Sequence, residues 1–303
     1  MESSAAATTT TGRGPRRRPR FVIYLLLLLT GFYLLLCGAV YLLQGWLLFP
    51  GRARERRPVE PPHGVVVEQR MRQAGQRFRV AVGTPDAVRG VAAFFLGNGE
   101  DLSNGVWVAA VLREYGLLAL VAEYPGYGES EGTPSFRSLL EVADLVGAEA
   151  GRRAREHGVP LVLGGRSLGT FSAVHLAARD RTAPDDVVSR SGKQPAGRET
   201  RVVLFAPPTS IAAVARLRFP VLPTGWLLRH PFDNLGKVAE VRAPVLIVHG
   251  ERDEVVPSTM GRALAEALPR ATYHEVGGVG HNDLPLQRSG PTGELLARFL
   301  LQR

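Results

Sequence analysis

A mixed α/β fold is what this sequence predicts, with a mostly parallel central sheet flanked by helices and one transmembrane helix ahead of it. Three observations predict it. Eight short apolar or β-branched runs are separated, in the later part of the chain, by stretches with helical spacing. The first two runs are linked closely and the rest follow as repeated strand–helix units, which build a sheet covered on both faces. Ahead of them lies "FVIYLLLLLTGFYLLLCGAVYLL" (21–43), which carries no charge.

The elements follow in order. Residues 1–20 are small, polar and basic and are expected to be disordered. A helix over 21–43 would span roughly 34 Å, enough for a bilayer core, and "QGWLLFP" (44–50) extends it with an interfacial Trp46. A cleaved signal peptide would have a shorter apolar region, so residues 21–49 are read as a membrane anchor. Five arginines precede the span and four follow, a slight lean toward a cytoplasmic N-terminus and an extracytoplasmic domain. Residues 50–62 form a linker and 63–303 the folded domain. Strands are expected at Val65–Val67, Phe78–Val82, Val91–Leu96, Leu117–Glu123, Leu161–Gly165, Arg201–Ala206, Val245–Gly250 and Ala271–Val276. Helices are expected at Gly105–Tyr115, Ser138–His157, Leu168–Arg179, Thr259–Ala267 and Gly293–Gln302. Residues 180–200 read as a polar loop insertion. Residues 207–242, punctuated by proline yet rich in Leu, Phe and Trp, read as a small lid.

Charge excludes one class of function. The chain carries a formal +9, but residues 1–57 hold nine arginines against two glutamates, leaving only +2 beyond them. The basicity flanks the apolar segment and coats no domain, and no groove-reading motif accompanies it, so no nucleic-acid partner is expected. The single cysteine, Cys37, sits inside the apolar run and permits no intrachain disulfide. No metal-ligand spacing and no cofactor motif occurs, so the chemistry is expected from side chains alone.

Gly-x-Ser-x-Gly occurs twice, around Ser130 and Ser167. A nucleophile elbow needs a strand that ends abruptly, one residue in a tight turn, and a helix that starts at once. Ser167 follows the strand "PLVLGG" and precedes "LGTFSAVHLAARD", whose apolar residues have helical spacing. Ser130 sits among further turn residues, between Glu129 and Glu131, which would repel a developing oxyanion. Ser167 is therefore the predicted nucleophile, and Ser130 a hydrogen-bonding loop residue.

A serine hydroxyl needs a base, and the base an orienting carboxylate. Asp253 lies in the loop after "APVLIVHG", with Glu251 and Glu254 as rivals. His281 lies in the Gly-rich loop after "ATYHEV". Both loops leave the C-terminal ends of strands, the edge on which Ser167 falls. The other histidines sit in the linker (His63), on helices (His157, His175), in the lid (His230), or in strands where packing is expected (His249, His274). Asp283 is read as a loop-closing residue. The tetrahedral intermediate needs two donors. The N–H of Leu168 is one, and that of Asn98, in "GNGED" after the third strand, is chosen as the other.

Together these residues resemble the α/β-hydrolase superfamily over about residues 63–303. Within it the chain is similar to membrane-anchored serine hydrolases of the bud-emergence type. The resemblance rests on an N-terminal helix ending near "LLFP", a "GN" loop, "YPGYGESEG", "GGRSLG", "VLIVHGERDEVVP" and "GVGHNDL". It implies an α/β-hydrolase fold, the triad Ser167, Asp253 and His281, and kinship with lysophospholipid lipases, esterases and depalmitoylating thioesterases. The group usually has His before "GN", where this chain has Leu96, and segment 180–200 looks inserted. The expected activity is hydrolysis of acyl esters or thioesters of lipid-like substrates, with an acyl chain held by Phe219, Leu222, Trp226 and Leu227 of the lid. A serine peptidase and a non-catalytic anchored binding module are the alternatives.

Overall fold

Backbone polar groups buried in a layered α/β protein must be paired within the sheet, and the eight apolar runs do so in one sheet. The computed structural model describes residues 18–53, 59–73, 75–180 and 199–301. The expected disordered N-terminus up to residue 17, positions 54–58 of the linker and 181–198 of the polar insertion lie outside the described residues. The strands are β1 (Val65–Met71), β2 (Arg77–Gly83), β3 (Gly90–Phe95), β4 (Leu117–Ala122), β5 (Leu161–Arg166), β6 (Thr200–Phe205), β7 (Val245–Gly250) and β8 (Ala271–Val276). Their order is β1-β2-β4-β3-β5-β6-β7-β8. β2 is antiparallel to both neighbours, and all pairings from β4 through β8 are parallel.

Two units divide the chain, residues 1–43 and 44–303. In the first, helix α1 (Arg18–Leu48, running on into the second) presents its apolar side chains outward. Its stretch Arg20–Leu48 is long and apolar enough to cross a membrane.

In the second unit, β3, β4, β6 and β7 are buried along their whole length, as continuous apolar strands are when helices cover both faces. On one face pack α3 (Phe136–His157), α4 (Gly169–Arg179) and α8 (Ser258–Ala267), through Val142, Val146, Val174 and Leu264. On the other pack α2 (Leu102–Glu114) and α9 (Gly290–Leu301), through Val106, Leu112, Leu296 and Leu300. Between α4 and α8 the lid segment folds into three short helices, α5 (Ile211–Arg218), α6 (Thr224–Leu227) and α7 (Leu235–Val238).

Every expected strand and main helix is present, β7 and β8 with the expected ends and the others with shifted ones. α2 begins three residues earlier than its apolar pattern, because the Asp101 carboxylate accepts from Ser103 N and Asn104 caps in return. α3 begins at Phe136 because Ser135 and Ser138 cap each other's backbone. β1 runs on to Met71 because its polar half pairs with β2 through Met71↔Arg77. A half-exposed hairpin strand carries polar residues on alternate positions, so an apolar run undercounts it.

Candidate active site

Parallel strands put their C-terminal ends on one edge, and six loops leave it. They follow β3 (97–101), β4 (123–135), β5 (167–168), β6 (206–210), β7 (251–257) and β8 (277–284). Ser167 ends β5 in a left-handed conformation, φ 50°, one of two non-glycine residues described with positive φ. Such a residue costs about 1–3 kcal/mol and persists only where its surroundings hold it. Ser167 N–H donates to Phe205 O at 2.8 Å, while its own carbonyl accepts from Thr170 N at 3.1 Å and Thr170 Oγ1 at 2.6 Å. The motif glycines are required by close approach. A methyl at Gly165 would lie 2.4 Å from Gly169 O, and one at Gly169 would lie 2.0 Å from Phe95 O.

Asp253 and His281 are joined. His281 Nδ1 lies 2.6 Å from Asp253 Oδ2. The carboxylate is buried, and its Oδ1 accepts from Val255 N at 2.9 Å and Val256 N at 2.7 Å. Burial by itself would raise the Asp253 pKa. Hydrogen bonds from His249, His281 and Val256 N–H outweigh it and hold the carboxyl well below the ordinary carboxylate range. An ionised carboxylate can only accept, so His281 Nδ1 carries a proton and donates it to Asp253 Oδ2. Among the described residues Ser167 Oγ forms no hydrogen bond, with His281 or with any other side chain.

The oxyanion candidates are also on this edge. Neither Leu168 N–H nor Asn98 N–H donates to any group among the described residues. Asn98 O accepts from Tyr127 OH at 2.7 Å, and Leu96 O from Tyr124 OH at 2.6 Å. Glu100 ties the loop to the elbow, taking Gly97 N at 2.5 Å and Arg166 Nη1 at 2.8 Å. With Leu96 where the resembling group has His, these bonds shape the loop.

Three features escaped the sequence reading. His249, expected only to pack, has Nε2 3.3 Å from Asp253 Oδ2 and 2.8 Å from Val256 O, so it touches the acid. The signal was present in the four-residue spacing of "HGERD", but strand burial alone suggested packing. The Glu100–Arg166 bridge joins residues 66 apart and has no local signature. The third corrects an expectation. Of the lid residues expected to hold an acyl chain, Leu222 is buried, but Phe219 is 50% and Trp226 93% exposed. Phe219 caps the end of α5, a helix with no buried residue, and Trp226 lies in α6, whose buried residue is Thr224.

Ser130 is a buried structural residue, as expected. Its hydroxyl donates to Glu123 Oε2 at 2.8 Å and accepts from Arg79 N at 3.0 Å. Glu123 is fully buried and bonded to Arg79 Nε at 3.1 Å and to Leu102 N at 3.0 Å. Removing Glu123 leaves buried Arg79 with the half-exposed Glu129 as its ion-pair partner and takes the acceptor from the Ser130 hydroxyl and Leu102 N, so Glu123→Ala is expected to cost roughly 3 kcal/mol. Denaturant titration in detergent micelles checks it. A loss within about 0.5 kcal/mol, ordinary for a surface change, would show the network to be dispensable.

No protein-family model matches the chain. Among curated proteins, an uncharacterized protein of Mycobacterium tuberculosis is 33% identical over 209 residues, 68% of each chain. The human α/β hydrolase domain-containing protein 17B is 34% identical over 183 residues, 59% of this chain and 55% of that one. Among solved structures, a bacterial membrane phospholipase A aligns with TM-score 0.55 and 16% identity, over 93% of this chain and 97% of that one. A Pyrococcus furiosus esterase aligns with TM-score 0.56 and 13% identity, over 82% and 100%. Sheet order, elbow and structural neighbours agree, and the chain has the α/β-hydrolase fold.

Proposed function

We propose that this chain is a membrane-anchored serine hydrolase that cleaves acyl ester or thioester bonds. The observation that carries the reading is the 2.6 Å bond between His281 and the ionised, buried Asp253, on the sheet edge where strained Ser167 sits. Ser167 Oγ attacks the acyl carbonyl carbon, and its proton passes to His281 Nε2. The tetrahedral oxyanion is bound by the N–H groups of Leu168 and Asn98. His281 then returns the proton to the leaving alcohol or thiol, and the C–O or C–S bond breaks to give an acyl-Ser167 ester. Water, deprotonated by the same imidazole, attacks that ester and frees the acid and the serine. Asp253 keeps the imidazole in the required tautomer and stabilises its positive charge.

The anchor is the helix over 21–49, with its N-terminus on the cytoplasmic side toward which the arginine balance leans. That places the domain extracytoplasmically, against a supply of lipid-like substrates.

A fluorophosphonate probe tests the serine. Labelling is expected in the wild type and in Ser130→Ala, and lost in Ser167→Ala. Persistence in Ser167→Ala overturns the assignment. Ester, thioester and aminoacyl-amide reporters assayed together test the substrate class, and preference for the amide would move the reading to a peptidase.

A further inference from the structure

The outward-facing part of the lid has a chemistry of its own. α5 buries none of its residues, and Leu217 (60% exposed), Phe219 and Trp226 project from this short stretch. Contiguous exposed apolar side chains of this size mark an interaction surface. Residues 211–232 contain no acidic residue and three arginines, Arg216, Arg229 and Arg218, the last with Nη2 donating to Glu254 O. The patch is therefore apolar and cationic, with an aromatic of the kind that settles at a membrane–water boundary.

A second observation says what covers it. Gln44, itself buried, donates from Nε2 to Leu227 O at 3.0 Å and accepts from Arg229 N at 2.7 Å. These bonds satisfy both ends of the amide on the lid backbone. In the chain, Gln44 directly follows the uncharged run 21–43. The lid is thus fastened at the residue where the chain leaves that run. Trp46, 60% exposed, is two residues further on, with the Arg52 guanidinium over its ring at 3.4 Å.

We infer that the outer face of the lid, centred on Trp226, Phe219 and Leu217, docks onto the bilayer surface and takes anionic lipid headgroups on its arginines. The inference rests on the reading of residues 21–49 as an anchor. It gives the lid a role distinct from lining an acyl site. Its apolar side chains enter the headgroup–acyl boundary, while the arginines extend toward phosphate.

The test uses the full chain, one copy per lipid nanodisc, with two single-tryptophan forms. Trp46→Phe/Trp107→Phe leaves Trp226, and Trp107→Phe/Trp226→Phe leaves Trp46. With acyl chains brominated near the headgroup, emission from Trp226 is expected to fall about twofold, as for a side chain a few ångströms below the boundary. The fall is expected to be deeper with phosphatidylglycerol than with phosphatidylcholine alone. Quenching of Trp46 without Trp226 overturns lid docking and leaves the anchor standing. Quenching of neither overturns the anchor as well. Trp226 quenching that is the same in both lipids removes the headgroup half of the inference. A Trp226 emission change that appears only with two copies per disc assigns the face to a second copy of this chain and overturns lipid docking.

Discussion

Ser167→Ala is expected to lower kcat for ester hydrolysis by about 10⁴- to 10⁶-fold, the range seen when a triad nucleophile is removed. In the proposed scheme catalysis does not fall to zero, because the N–H groups of Leu168 and Asn98, which donate to no group among the described residues, would still polarise a bound carbonyl. Such a site retains roughly 10³-fold over water. KM is expected to change little, since the hydroxyl contributes mainly in the transition state. Stability separates this from damage to the fold. Gly ordinarily costs about 0.5–1 kcal/mol relative to Ala. At φ 50° the order is expected to reverse, with Ser167→Gly at least as stable as Ser167→Ala. Kinetics beside thermal melts read both effects. A Ser167→Ala chain with more than about a tenth of wild-type kcat, far above the expected residue, would remove the nucleophile from the scheme.

The second large effect belongs to the acid. Asp253→Asn keeps the volume and can still accept from Val255 N and Val256 N. It cannot force His281 Nδ1 to carry the proton, because an amide nitrogen placed there must donate. The imidazole then holds its proton on Nε2 and cannot take one from serine, and kcat is expected to fall about 10⁴-fold. His249 Nε2 also lies 3.3 Å from Asp253 Oδ2, so an amide nitrogen at that position faces a second imidazole nitrogen. Linkage gives the pH dependence. The folded pKa of Asp253 is depressed, so its stabilisation is present above the ordinary carboxylate pKa and is lost only as pH falls through the lower folded value. Between pH 5 and 8 the wild-type carboxylate stays ionised, and any acid limb of kcat/KM in that window reports another group. Equal activity of the wild type and Asp253→Asn across the window would assign the orienting role elsewhere.

Eight strands and five main helices were legible because burial between helical layers demands continuous apolar runs, and helices demand their own period. β1 was cut short for the opposite reason: its second half is polar on alternate positions and held by β2. Ser167 was separable from Ser130 because an elbow is a local event, and local backbone demands leave local residues such as Gly165 and Gly169. The loops carrying Asp253 and His281 could be placed on one edge by strand direction alone. Their 2.6 Å contact could not, because it depends on the register of β7 against β8.

The sequence by itself determined the layered α/β architecture, the apolar helix ahead of it, and the chemistry available at the ends of the strands. Only the tertiary structure decided that His249 shares the buried carboxylate, that Glu100 joins the Asn98 loop to the elbow, and that Trp226 faces outward while Gln44 fastens the lid. Each of these pairs residues brought together by sheet order and packing across layers. The energy of such contacts depends on distances in space that no local pattern of residue types encodes.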